Sequence, residues 1–95
     1  MNPKSNSIPL KRHWLDVTVE IHTFHISQLK DDDGWTLNNS AKALNRSIGS
    51  ISEALLVASF LLTHEKQIKR CHSMREALEY IRSLQKQIRL RAVNG

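Results

Sequence analysis

The side chains best placed to touch another molecule fall between Ser47 and Glu53. There Ser47, Ser50, Ser52 and Glu53 supply hydroxyls and a carboxylate, and Gly49 supplies a position without a side chain. Hydroxyls donate and accept, a carboxylate only accepts, and glycine lets a backbone approach closely, so the chemistry on offer is hydrogen bonding rather than bond making. Metal chemistry has weaker candidates. His22 and His25 fall on neighbouring turns of one segment, and His64, Cys71 and His72 cluster later, but no CxxC or HxxxH spacing occurs. One thiol is a poor anchor for zinc. Cys71 as a nucleophile needs a base and an orienting group, and adjacency in the chain does not turn His72 toward it. It is expected to be a partly buried structural thiol. With no acid pair and no phosphate loop, no catalytic residue, metal ligand or cofactor is expected, and the chain is read as non-enzymatic.

The elements that must position residues 47–53 are legible around them. Ala41 to Leu55 has the pattern of two short helices about a tight turn. Ala41 and Leu44 face inward, and the small Ala41 marks where the second helix crosses closely. Asn45 ends the first helix, because asparagine tolerates the left-handed conformation that a helix C-terminus uses. Ser47 is placed as the next N-cap, its hydroxyl accepting from the N–H of Gly49 or Ser50. Ile48, Ile51 and Leu55 then repeat at helical spacing and are expected to point to the core, leaving Gly49, Ser50, Ser52 and Glu53 outside. In a DNA-binding helix-turn-helix that outer face lies in the major groove. Lys42 and Arg46 flank the turn and suit phosphate contacts.

The rest of the chain is expected to be helical. Residues 1–12 lack an apolar period and are expected to form a flexible arm, with residues 13–95 as a single domain. Leu10, Trp14, Val17, Ile21 and Phe24 keep helical spacing although Val17, Val19 and Ile21 also alternate as in a strand; the helix is preferred, with Gly34 as its stop. Asp31, Asp32 and Asp33 oppose the helix dipole and are expected to loosen its last turn. Thr36 is a fitting N-cap for a helix to Leu44. The helix from Ser47 is expected to continue through Leu62, and a short one to follow from about Glu65 toward Cys71. Ser73 and Glu76 form a capping box opening a long terminal helix. On that helix Ala77, Leu78, Ile81, Leu84 and Ile88 make one apolar stripe, with Arg82, Lys86 and Arg89 off it. Trp14 and Trp35, beside helix ends, are expected to anchor the core. The expected fold is all-α: a small helical domain with a central helix-turn-helix and a long basic C-terminal helix.

Charge adds a direction. The 95 residues carry a net +5 and a pI near 9.8, which favours an anionic partner. Residues 1–35 sum to −1 and residues 36–65 balance, whereas residues 66–95 hold eight cations against two acids. The basic surplus therefore follows the helix-turn-helix. The single cysteine cannot form an internal disulfide and the N-terminal residues lack a signal-peptide pattern, so the cytoplasm is the expected location. The apolar run Ala54 to Leu62 is far short of the roughly 20 residues a bilayer requires, so no membrane partner is expected.

From Gly34-Trp35-Thr36 through Leu55, and again at Ser73-Met74-Arg75-Glu76-Ala77-Leu78, the chain resembles the helix-turn-helix domain of the ParB/KorB partition-protein family and its small phage relatives. The likeness spans residues 33–84 and is most specific at Ala41-x-x-Leu44-Asn45-x-Ser47-x-Gly49-Ser50-Ile51-Ser52-x-x-Leu55. It implies an all-helical domain that binds a short double-stranded DNA site through the helix beginning at Ser47, often as a homodimer. Nucleotide hydrolysis, spreading and partition itself do not carry over, since they belong to flanking domains for which these residues leave no room. The expected function is that of a small phage- or plasmid-type DNA-binding protein, a sequence-specific transcriptional regulator or accessory recognition factor. Its candidate contacts are Lys42, Arg46, Ser47, Ile48, Gly49, Ser50, Ser52, Glu53, Arg82, Lys86 and Arg89. The alternative is a protein–protein interaction module whose C-terminal helix binds the partner.

Overall fold

The computed structural model of the chain describes residues 13–94, so the arm expected over residues 1–12 lies outside the described residues. Among the described residues the fold is all-α, with five helices and no strand: α1 (Trp14–Asp31), α2 (Leu37–Leu44), α3 (Ile48–Leu61), α4 (Glu65–Arg70) and α5 (Met74–Asn94). The segment that alternated between helix and strand spacing is the helix α1. Its three- and four-residue spacing brings Leu15, Thr18, Ile21 and His25 onto one buried face. Thr18 is buried without a loss, since its hydroxyl donates to the Trp14 carbonyl at 2.9 Å.

Gly34 is not what ends α1. The helix runs through Asp31, so the aspartates do not shorten it, and Asp32 breaks it in an extended conformation with its N–H still on the Gln28 carbonyl at 2.9 Å. The Asp32 carboxylate then accepts from the Gly34 N–H at 3.0 Å, and Gly34 keeps an ordinary negative φ. Asparate's habit of bonding the backbone two residues on does the work expected of a glycine.

The remaining helix ends follow the local chemistry of the sequence. Thr36 Oγ1 accepts from the Asn39 N–H at 3.1 Å to open α2. Asn45 closes it at φ 55°, ψ 50°, the one non-glycine positive φ among the described residues. Around it the Arg46 N–H reaches the Ala41 carbonyl at 2.9 Å and the Asn45 N–H reaches Lys42 at 3.3 Å, the paired bonds of a Schellman motif. Ser47 then caps α3, accepting from the Ser50 N–H at 3.0 Å. At α5 the capping box is shifted. Ser73 Oγ accepts from the Glu76 N–H at 3.2 Å, but the Glu76 carboxylate takes the His72 N–H at 2.9 Å rather than that of Ser73.

Packing makes α3 the shared element. Its Ile51 and Ala54 meet Ile21 of α1 and Ala41 of α2, while its Val57 meets Leu15, Ile68, Ala77, Leu78 and Ile81 from α1, α4 and α5. One expected core position lies elsewhere. Ile48 is 47 % exposed, because the buried arc of α3 is centred on Ile51, Ala54, Val57 and Ala58 and its first turn projects past the helices that cover that arc. Ile88 is 60 % exposed, because the apolar stripe of α5 is covered at Ala77, Leu78 and Ile81 and loses its neighbours beyond the half-buried Leu84.

Between α1 and α2 lies a polar contact inside the core. His25 Nδ1 and Ser40 Oγ are 2.7 Å apart, and the Trp35 Nε1–H donates to the same oxygen, also at 2.7 Å. Ser40 Oγ thus accepts from Trp35 and shares a second hydrogen bond with His25 Nδ1, whose direction follows the imidazole tautomer, and both His25 and Ser40 are buried. Phe24 meets the Trp35 ring edge-on at 6.3 Å and closes the network on one side.

Two substitutions test this description by urea denaturation. Asn45→Val is expected to cost about 1–2 kcal/mol through the left-handed backbone, whereas Asn45→Gly holds or raises stability. Ser40→Ala is expected to cost about 1–3 kcal/mol, because it strands the indole donor and the imidazole together.

Candidate nucleic-acid interface

In the first two turns of α3, Ile51 and Ala54 are buried and the opposite face is turned to solvent. Ile48, Gly49, Ser52 and Glu53 are exposed there and Ser50 is half-buried. At about 100° per residue, Gly49 and Ser52 occupy the middle of this face and Ile48 and Glu53 stand on its two flanks. The centre is thus flat and the flanks carry the only sizeable side chains. Gly49 has no structural reason to be glycine: its φ is negative, and a Cβ there would meet only Ser47 Oγ, at 3.9 Å. A glycine near a helix start nevertheless costs up to about 1 kcal/mol relative to alanine.

The other candidate residues divide by surroundings. Arg46 is exposed in the turn and its Nη1 donates to Ser50 Oγ at 3.4 Å. Arg46, Ser50 and Glu53 line a cleft of about 260 Å³ floored by Trp14, Val17, Ile21 and Met74, in which Ser50 is half-buried and Glu53 exposed. The Ser47 hydroxyl is engaged as the cap of α3. Lys42 is exposed on α2, one turn before the left-handed Asn45. Arg82, Lys86 and Arg89 are exposed on α5, and their four- and three-residue intervals align them in one stripe. The acids of α5 stay near its start, where Glu79 pairs with Arg75 at 3.7 Å and Glu76 with His72 at 3.8 Å. No acid follows Glu79 in the sequence.

The groups weighed for catalysis or metal binding are placed otherwise. The His25–Ser40 contact has the atoms of a base and a nucleophile, but with 5 % and 0 % exposure it is a core contact that no substrate can approach. Sequence reading did not pair these two residues; they are fifteen positions apart on different helices. Among the described residues no three His, Cys, Asp or Glu side chains are disposed to hold a metal ion. Cys71 is half-buried, as expected, and its carbonyl accepts from Trp14 Nε1 at 3.2 Å, which ties α1 to the start of α5. Burial and, secondarily, the nearby Glu76 carboxylate push its thiol above the ordinary range, and its Sγ donates to the Gln67 carbonyl at 3.5 Å. His72 is exposed, with its Nδ1 3.8 Å from the Glu76 carboxylate.

Comparison with family models, curated proteins and solved structures finds no match to this chain. Among the described residues no helix is long and apolar enough to cross a membrane.

The raised Cys71 thiol carries a kinetic expectation. A thiol with an elevated pKa holds less thiolate at a given pH, so alkylation by iodoacetamide at pH 8 is expected to run slower in the folded protein than in urea. Equal rates would show that the half-buried environment leaves the thiol unprotected.

Proposed function

We propose that this chain is a non-enzymatic, sequence-specific DNA-binding protein of the helix-turn-helix kind, acting as a transcriptional regulator or accessory recognition factor. In this reading α2 and α3 form the helix-turn-helix and the exposed start of α3 enters the major groove, with Lys42 and Arg46 on phosphates beside the turn. The observation that carries the reading is Gly49. A glycine that the fold does not need, central on an exposed helix face beside the small Ser52, fits a surface that must come close to a bulky partner.

The stripe of Arg82, Lys86 and Arg89 supplies cations for further phosphates, and with them the salt dependence that counterion release brings. The exposed Ile88 and Leu90 of α5, at 60 % and 52 %, offer an apolar surface for a homodimer that would present two copies of α3 to two half-sites. The same apolar end, together with the 88 % exposed Leu62, favours the second reading, a module that binds another protein.

Selection of bound duplexes from a random pool at near-physiological salt separates the two readings. A DNA reader enriches a motif; a protein-binding module retains only weak binding that salt erases. The variant Gly49→Ala sharpens the test. It is expected to raise fold stability by about 0.5–1 kcal/mol while weakening binding to the enriched duplex several-fold. Unchanged binding in the stabilised variant would remove Gly49 from the interface.

A further inference from the structure

We infer that Ile48 and Glu53 are the base-reading side chains of α3, Ile48 packing on the methyl group of a thymine and Glu53 accepting from the amino group of a cytosine. The inference rests on the DNA reading above and goes on to say which bases are read and by which atoms. It follows by elimination along the exposed face. The Ser47 hydroxyl holds the Ser50 N–H at 3.0 Å, and Ser50 is half-buried with its hydroxyl accepting from Arg46 Nη1 at 3.4 Å, whereas Glu53 at the mouth of the same cleft is exposed. Gly49 has no side chain to read with. A serine hydroxyl such as that of Ser52 serves donors and acceptors alike and does not discriminate between bases. Ile48 and Glu53 remain, on the two flanks of the flat centre.

Their chemistry limits what each can recognise. Ile48 is 47 % exposed at the first helical position and has neither donor nor acceptor, and the thymine methyl is the one apolar group that the major groove displays. A Glu53 carboxylate can only accept, so it selects an exocyclic amino group. Cytosine offers its amino group without the adjacent ring acceptor that, in adenine, would repel a carboxylate. The face carries no Arg, Lys, Asn or Gln between Ile48 and Glu53, so it lacks the paired donors that grip guanine and the donor–acceptor pair that grips adenine. Five residues apart, the two side chains stand about 7.5 Å from one another along the helix axis and address different base pairs.

The experiment uses the full chain and the duplex it enriches from a random pool. Each thymine is replaced in turn by deoxyuridine, which removes only the methyl group, and each cytosine by N4-methylcytosine, which covers the major-groove amino hydrogen. One uridine position is expected to weaken the wild-type protein about fourfold, the loss of a single methyl-sized contact, and to leave Ile48→Ala unaffected. One N4-methylcytosine position is expected to weaken the wild type about tenfold and to leave Glu53→Ala unaffected. Both substituted side chains are exposed, and the base analogues test the wild type without any substitution. An enriched motif that tolerates every analogue would overturn the assignment of Ile48 and Glu53 while the DNA reading stands. A pool with no enriched motif would overturn both.

Discussion

The structure depends on the burial of α3 from two directions at once. Ile51 and Ala54 are sealed by α1 and α2, Val57 by α1, α4 and α5, and all three are fully buried. Each large aliphatic side chain buried this way contributes on the order of 1.5–3 kcal/mol, and no other helix supplies buried residues to both clusters except α1, through Leu15 and Ile21. Removing α3 would leave α1 as the sole helix shared by the two clusters, each with one wet face. The same burial holds one face of α3 in the core from Ile51 to Ala58, so that the opposite face of its first two turns is presented to solvent.

A helix held in that way needs its start defined as sharply as its middle. Asn45 and Ser47 provide this within three residues, one reversing the chain through a left-handed conformation and the other satisfying the free N–H at Ser50. Because the reversal closes with bonds back to Ala41 and Lys42, the direction of α3 is tied to the end of α2 by the backbone itself. Trp14 adds a tie at the far side, its indole N–H on the Cys71 carbonyl joining the first helix to the chain that enters α5. Small residues at the crossing, Ala41 against Ala54, let α2 and α3 approach without a gap to fill.

What the sequence disclosed and what it concealed divide along the range of the interactions. The caps at Thr36, Ser47 and Ser73 and the left-handed Asn45 were legible because each acts on groups within four residues. The Glu76 carboxylate went to His72 instead of Ser73, a shift of one residue that local pattern does not distinguish. Ile48 was misplaced for a different reason. Periodicity gives the direction in which a side chain points, but whether anything is there to meet it depends on how far the neighbouring helices extend. The Trp35–Ser40–His25 network was invisible for the same reason, since nothing near His25 in the chain signals a hydroxyl that arrives from another helix. For the candidate site, spacing was enough to place Gly49, Ser52 and Glu53 on the exposed face, while the half-burial of Ser50 and the exposure of Ile48 needed the fold.

The charge distribution gives the proposed interface an unusual division of labour. A face of Ile48, Gly49, Ser52 and Glu53 carries a net negative charge, and by itself it would be repelled by a phosphate backbone. Attraction must then come from elsewhere, and the cations lie at the edges: Lys42 and Arg46 about the turn, and Arg82, Lys86 and Arg89 along α5. Phosphate neutralisation at the edges provides affinity without sequence information, whereas the neutral centre and its single carboxylate provide discrimination with little affinity. On the proposed reading such a protein would bind non-specific DNA only while the edge charges are unscreened, and Glu53 would make every wrong sequence worse by leaving a desolvated carboxylate without a donor. Glu53, the residue that argues most against DNA when counted as charge, thereby becomes on the proposed reading the strongest source of selectivity that the face possesses.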